Sequence, residues 1–369
     1  MNLPLTSSTA LEFHEHFLNI RWTQSGCLRE WMGFDLRGLA LRPLRTEFCL
    51  LSKPEQASRV ANTKGREGLY CQGCERNAEC LYGRVFEPDR KVIGRIENGM
   101  REGLRGIAIA SSFPCQVQAV PGDLLPVRVL ALGQHAKIVL PHVVAMLTRL
   151  GSTAGLGENR VQFDVDQEQF SQGWAIQPSE LPTVVSGGSI PILRLQLITP
   201  YLVRRREDRP NFSTFVRESI RTVRRAVVEL CGAAVVTPSK QANTSPEPPL
   251  RPLLTNRPYR DQIQDQRPRF VLATENSDAS EIANWASFLA DEFIQASECV
   301  ECLFDQFELF QQERGSARQQ KEFKMLGWTG SAVFRDVPVC LLPWLFWGGK
   351  IGVGESRNCG AGLWVLSFD

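Results

Sequence analysis

Within Gly348–Gly362 six of fifteen residues are glycine, and Lys350, Ser356, Arg357 and Asn358 stand among them. Glycine accepts positive φ and leaves its N–H uncovered, so a loop of this composition can cradle a phosphate that cations neutralise. It is neither of the familiar nucleotide loops. Gly352-Val-Gly354 has no third glycine at Arg357, and no Gly-Lys-Ser/Thr follows at P-loop spacing. The run also sits after a long helix and before the strand-like Leu363–Phe368, the reverse of the order those motifs need. What remains is contact with a bulky anion. Lys350 and Arg357 are its candidate cations, and Gly352, Gly354, Gly360 and Gly362 are where backbone can approach it.

Three other sets of side chains could do chemistry. Arg204, Arg205, Arg206 and Arg209 precede Arg217, Arg221 and Arg224, which recur at i, i+4, i+7 beside an apolar helical stripe. Few acids interleave (Glu207, Asp208, Glu218), so the ridge reads as a solvated face or as a phosphate-binding face for RNA or DNA. Cys71-Gln-Gly-Cys74, Cys80 and Cys49 could give four thiolates to a structural zinc or an iron–sulfur cluster, or be free thiols in a loop. Cys299-Val-Glu-Cys302 has the same spacing in a helical segment and reads as core. His14 and His16 share a strand face, where His16 could act as general acid or base. Leu18, Ile20 and Trp22 continue that face and argue for burial instead. His135 and His142 read as structural, and no Ser-His-Asp set stands out.

The elements that must position these groups mix strands and helices in an α+β pattern. Phe13–Trp22 alternates as a strand, and Leu28–Leu44 contains a helix ended near Pro43. A cysteine-bearing insertion fills about 49–88. Strands are expected at Ile107–Ala110, Gln116–Val120 and Val127–Leu132, then a helix opened by Pro141 and closed by Gly151, then a strand at Val161–Val165. These make a first domain, 1–168, and a looser linker, 169–190. The second domain, 191–369, opens with a strand at Ile192–Leu202. Its helix Asn211–Leu230 is well specified: Phe212, Val216, Ile220, Val223, Val227 and Leu230 form one stripe, and Gly232 terminates it. A proline-dense excursion covers 238–268. A helical segment carrying Ile282, Trp285, Leu289 and Phe293 follows, then Gly330–Phe334, the Leu341–Phe346 run, the glycine loop 348–362 and a last strand.

Composition narrows the class. With 369 residues, 43% hydrophobic and 22% charged, the chain suits two folded domains rather than a disordered protein. Net charge is only +2, so any nucleic-acid footprint must come from local clustering. Eleven cysteines without framework spacing do not describe a secreted disulfide scaffold. The N-terminus has no signal-peptide pattern, and the longest apolar stretch, Val337–Trp347, holds two prolines and is too short to span a bilayer. A cytoplasmic protein without membrane contact is the expectation.

In order along the chain, a set of motifs resembles the CRISPR repeat-processing endoribonucleases of the RAMP superfamily, in the branch associated with type III systems. They are Gly26-Cys-Leu-Arg29 with Gly33, Cys71-x-x-Cys74 with Cys80-Leu-Tyr82 and Phe86-Glu-Pro88, and Gly122-Asp123 through Gly133. Leu140-Pro141, Gly151–Gly157, Thr199-Pro200-Tyr-Leu202, Pro210-x-Phe212 and Arg314-Gly-Ser316-Ala-Arg318-Gln319 continue the series. The resemblance implies two tandem ferredoxin-like (RRM-like) domains with a C-terminal glycine-rich loop that grips repeat RNA. It implies metal-independent cleavage of precursor CRISPR RNA by the neighbouring 2′-hydroxyl, with CRISPR repeat RNA, precursor and mature, and effector-complex subunits as partners. Such chemistry needs a base, an acid and cations at the phosphorane. The resemblance puts Lys350 and Arg357 at the scissile phosphate, Arg318 and Lys324 nearby, and His16 as the base. Where the family's tail usually has histidine and lysine, this chain has Gly352 and Glu355, and Gly315 replaces a tyrosine. Slow cleavage, or a repeat-binding subunit without cleavage, is the alternative these departures imply.

Overall fold

Two antiparallel sheets in this protein repeat one strand order. The computed structural model describes residues 11–62, 70–88 (apart from 72 and 78), 104–157, 159–166, 170–176, 181–203 (apart from 183, 184 and 186), 209–231, 291–316 and 321–368. The first half runs β1 (Leu11–Trp22), β2 (Gly26–Cys27), α1 (Gly33–Phe48), α2 (Lys53–Asn62), α3 (Leu81–Phe86), β3 (Ile107–Ser111) and β4 (Gln118–Ala119). It continues with β5 (Leu124–Leu132), α4 (Gln134–Gly151), β6 (Phe163–Val165) and β7 (Phe170–Ile176). Its main sheet is ordered β3-β5-β1-β6, with β7 pairing β1 alongside β6.

The second half runs β8 (Ser189–Leu197), β9 (Tyr201–Val203), α5 (Phe212–Cys231), β10 (Glu301–Asp305), β11 (Glu308–Ser316), β12 (Lys321–Thr329), β13 (Ser331–Pro338), α6 (Leu342–Ile351) and β14 (Trp364–Phe368). Its sheet is ordered β10-β13-β8-β14, and β11-β12-β9 form a further three-stranded sheet. Counting only the main sheets, each half is βαββαβ with its second, third, first and fourth strands side by side. The chain is therefore mixed α and β with antiparallel sheets. Among the described residues no helix is long and apolar enough to cross a membrane.

β1 explains how the halves meet. Its side chains alternate between faces. Leu18, Ile20 and Trp22 enter the first core with α1 and α4, whereas Leu11 and Phe13, of opposite parity, enter the second core. Phe13 is fully buried there and meets Trp347 of α6 edge-on, ring centroids 6.0 Å apart. Burial of one such ring contributes roughly 1.5–3 kcal/mol. The first sheet is thus covered on both faces, by its own helices and by the second half.

α5 forms as its sequence dictates. The Asn211 carbonyl oxygen of the side chain accepts from Thr214 N at 2.9 Å and caps the helix, and the stripe from Phe212 to Val227 is buried. Several expected boundaries move. Pro43 lies inside α1 rather than ending it, and α4 begins seven residues before Pro141, because buried Ala136, Val139 and Leu140 extend its core face. The expected linker 169–190 contains β7, paired along Leu11–Phe17. Cys299 and Cys302 are exposed, the latter on β10, so they are not core. The Leu341–Phe346 run, given no element type by its sequence, opens α6, which runs on through Gly348 and Gly349 to Ile351. The proline-dense excursion 238–268, with Ile282, Trp285 and Leu289, lies outside the described residues.

Candidate functional site

Lys350 occupies the last turn of α6, where the helix ends against the first sheet. Its Nζ lies 3.5 Å from Glu15 Oε2 and 5.8 Å from the Trp174 ring centroid, and the side chain is 31% exposed. Glu15 is wholly buried; Trp174 Nε1 donates to its Oε2 at 3.1 Å, and Arg128 pairs with its other oxygen. Arg128 Nη2 also donates to the Lys350 carbonyl at 2.9 Å, one of the carbonyls a helix end leaves without an internal partner. Burial holds the Arg128 pKa below the usual guanidinium range. The result is a buried carboxylate that fixes a partly exposed cation. Trp174, beside that cation, is 36% exposed.

His16 does not join this group. It is the next residue after Glu15 on a regular strand and so points to the opposite face, where Nδ1 meets Ser171 Oγ at 2.5 Å. It is only partly buried, so the expectation that its strand face is sealed does not hold there.

Arg357 departs from expectation as well. It is 7% exposed, enclosed at the seam between the halves, and its Nη2 donates to the Arg105 carbonyl. With the Asn358 amide turned so that its oxygen faces the guanidiniums, that oxygen accepts from Nε of Arg37, which is 3% exposed on α1, at 2.7 Å and from Arg105 Nη1 at 2.5 Å. Arg225 of α5 donates from Nε to Glu229 at 2.9 Å, and Glu229 also accepts from Leu104 N. Burial, then the positive charge of Arg225 and Arg105, lowers the Arg357 pKa to about 9. Burial, then Arg105, lowers that of Arg37 to about 10.

The glycine run is packed rather than open. Gly352, Gly360 and Gly362 are buried, and only Gly354 of the four expected contact glycines is exposed. A Cβ on Gly360, at φ 78°, would stand 2.3 Å from the Ala110 Cβ of β3. One on Gly362 would stand 1.9 Å from the Val353 carbonyl oxygen. A Cβ on Gly33 would meet the Cys359 carbonyl oxygen at 2.0 Å, so α1 begins directly against this segment. Reciprocal amide bonds between Gln312 and the Trp31 backbone, both 3.0 Å, fasten the β11–β12 hairpin to the same seam. The exposed tip presents Gly354 and half-buried Glu355, an acid, to solvent.

The remaining candidates separate. Arg217 and Arg221 project from α5 into solvent, Arg224 is half-buried, and Arg221 lies 3.6 Å from Glu218. Lys324 is on the exposed hairpin, 3.8 Å from Glu313, its pairing partner across the strands. Arg204, Arg205, Arg206 and Arg318 lie outside the described residues. The expectation of a zinc site is not met: no group of three or more His, Cys, Asp or Glu among the described residues is arranged to hold a metal ion. Cys49, Cys71, Cys74 and Cys80 do lie near one another, but Cys49 Sγ faces the Tyr70 hydroxyl at 3.5 Å and Cys80 Sγ donates to the Phe48 carbonyl at 3.5 Å. Burial, then Glu87 and the neighbouring thiols, pushes the Cys71 pKa up, which favours thiol over ligand thiolate.

Sequence reasoning missed Glu15, Arg128, Trp174, Arg37 and Arg105. Two carried a signal. Glu15 interrupts the Leu11, Phe13, Phe17 parity, and Arg37 falls at i, i+4, i+7 with buried Leu41 and Leu44.

The chain also resembles known proteins in part. Residues 11–189 match the AF_1859_N family, described as an N-terminal domain. No curated protein matches. Among solved structures, a Cas6 product complex is 12% identical with a TM-score of 0.42, over 96% of this chain and 99% of that one. A Thermus thermophilus Cas6 is 11% identical at a TM-score of 0.41, covering 97% and 99%. A partial Cas6-RT-Cas1–Cas2 complex is 8% identical at 0.44, covering 97% of this chain and 46% of that chain.

Proposed function

We propose that this protein binds CRISPR repeat RNA and cleaves it slowly by 2′-hydroxyl attack, without a catalytic metal. On this reading the halves are tandem ferredoxin-like domains; the repeated strand order supports it, as does the run of motifs described above. The observation that carries the reading is Lys350, a partly exposed cation held by Glu15 and Trp174 where the halves meet. An RNA phosphate entering there meets the ammonium, and Trp174 offers a ring face to a neighbouring base. Arg217 and Arg221 supply further phosphate contacts. In the reaction the 2′-oxygen bonds to phosphorus as the P–O5′ bond breaks, leaving a cyclic phosphate and a free 5′-hydroxyl. Lys350 stabilises the charge that develops on the phosphorane. The proton leaving the 2′-hydroxyl and the one gained by O5′ exchange with water, which keeps the rate low.

A second reading is a repeat-RNA-holding subunit of a CRISPR effector complex that does not cleave. The placement of His16 across the sheet and of Arg357 inside the seam favours it. Incubation of the purified protein with its own repeat RNA in EDTA decides between them. Cleavage should leave a cyclic phosphate, vanish with a 2′-deoxy nucleotide before the cut, and slow by about 10²–10³-fold in Lys350→Ala. Tight binding with intact RNA selects the second reading, and absence of binding rejects both.

A further inference from the structure

Beside Lys350 the two halves leave aromatic rings in solvent. β7 pairs with β1 in register, Phe13 with Trp174, Glu15 with Gln172 and Phe17 with Phe170, so these side chains share one face of the first sheet. At one end that face is sealed, since Phe13 is fully buried against Trp347 of α6. Further along the strands the cover ends. Trp174 is exposed, Phe170 is 59% exposed, and the Phe170 ring lies against that of Phe17 with centroids 6.0 Å apart. Phe346, 40% exposed, stands four residues before Lys350 on α6 and so on the same side of that helix. Apolar residues scattered singly over a surface need no explanation; three large rings from both halves beside one held cation do. Trp174 and Phe170 sit four residues apart on β7, about 13 Å along a strand. Neighbouring bases in a duplex strand are only ~3.4 Å apart, and each covers the face of the next.

We propose that Phe170 and Trp174 are separate stacking platforms for two unpaired bases of repeat RNA, so that the segment next to Lys350 is bound as an unstacked single strand. This rests on the reading that Lys350 meets an RNA phosphate. Both platforms are fixed before RNA arrives: Phe17 backs the Phe170 ring, and Glu15 holds the Trp174 indole by its N–H. Every base has a face to stack, so the platforms select unpaired RNA without selecting its sequence. A base-paired segment gains nothing there, because its faces are already covered. Lys350, 5.8 Å from the Trp174 ring centroid, supplies positive charge for the backbone of the same strand. A cation among the rings favours a polyanion over an apolar protein surface as the occupant.

Binding of the full chain to labelled repeat RNA, followed by fluorescence anisotropy across a salt series, tests the platforms. Phe170→Ala should weaken binding about 5–150-fold, the loss of one base stack, with the salt slope unchanged because no phosphate contact is removed. Phe170→Tyr keeps the ring and should bind as wild type does. In a scan of abasic nucleotides, one position should cost wild type the same factor and cost Phe170→Ala nothing more. With a complementary strand annealed to the repeat, wild type and Phe170→Ala should bind alike. Wild-type affinity in Phe170→Ala, alongside weakened binding in Lys350→Ala, overturns the platforms, keeps the RNA reading and leaves this face to a protein partner. A loss in Phe170→Ala that persists on duplex RNA also overturns the proposal. Absence of RNA binding by wild type overturns both.

Discussion

On α5, Arg217 and Arg221 stand in solvent, whereas Arg225 lies against Glu229 with its side chain 16% exposed, within the seam. One helix therefore presents the same side chain in two dielectric settings. In water and salt a guanidinium interacts weakly with its neighbours and is available to any phosphate that approaches. Inside the seam the same group must be matched charge by charge, and its pairing governs stability. The exposed set is a surface for a partner; the buried set decides whether the halves stay together.

The largest effect should come from Glu15→Ala. It strands Arg128, whose side chain is 12% exposed, without its carboxylate. Removing one member of a buried pair costs about 3–5 kcal/mol, measurable as a shift in the denaturant midpoint at constant slope. A loss near zero would mean that water reaches Arg128, and the two settings would no longer differ. Titration gives a second, smaller handle. Burial raises the pKa of Cys71, Cys80 and Cys115 above the ordinary thiol value of 9.0, so the native state keeps protons that the unfolded chain releases. Their contribution is present below that value and is lost as pH rises past it. Each can subtract at most ~1.4 kcal/mol per pH unit there. Cys115→Ala should flatten the alkaline limb of a stability-against-pH curve, and an unchanged limb would place that thiol in contact with solvent.

The exposed ridge should behave in the opposite way. Arg217→Ala with Arg221→Ala should change stability by less than about 0.5 kcal/mol, since neither residue touches the core. The same pair should weaken RNA binding and reduce the salt slope by roughly 0.7 for each phosphate no longer neutralised. Undiminished affinity and slope would return the ridge to a plain solvated face. Lys324→Ala is the smallest change. Its cross-strand pair with Glu313 is exposed on both sides, so stability should move by only a few tenths of a kcal/mol in a thermal melt.

Much of the fold was legible where local signals agreed. Asn211 caps, the stripe from Phe212 repeats and the helix forms between them, so α5 could be placed to within a residue. Proline misled twice: Pro43 and Pro141 read as an end and a start, yet tertiary burial carries both helices through. The site was less legible, for a physical reason. Glycine-rich sequence looks the same whether it clears room for an anion or for another backbone. Here Gly360 and Gly362 clear room for Ala110 and the Val353 carbonyl. Lys350 was visible in the sequence as a cation, but Glu15 and Arg128, which hold it, lie far away along the chain and meet it only through packing.

The abutment of Gly33 on the Cys359 carbonyl joins nearly the first described element to nearly the last. A contact that spans so much chain closes late, because the entropy of the intervening loop must be lost first. Until then the first half must wait with its side of the seam uncovered, Trp31 included. Arg37 on that same waiting surface is then fully hydrated, and like charges on neighbouring molecules repel. An arginine that is costly to enclose in the finished protein would, on that open surface, oppose contact between unfinished copies.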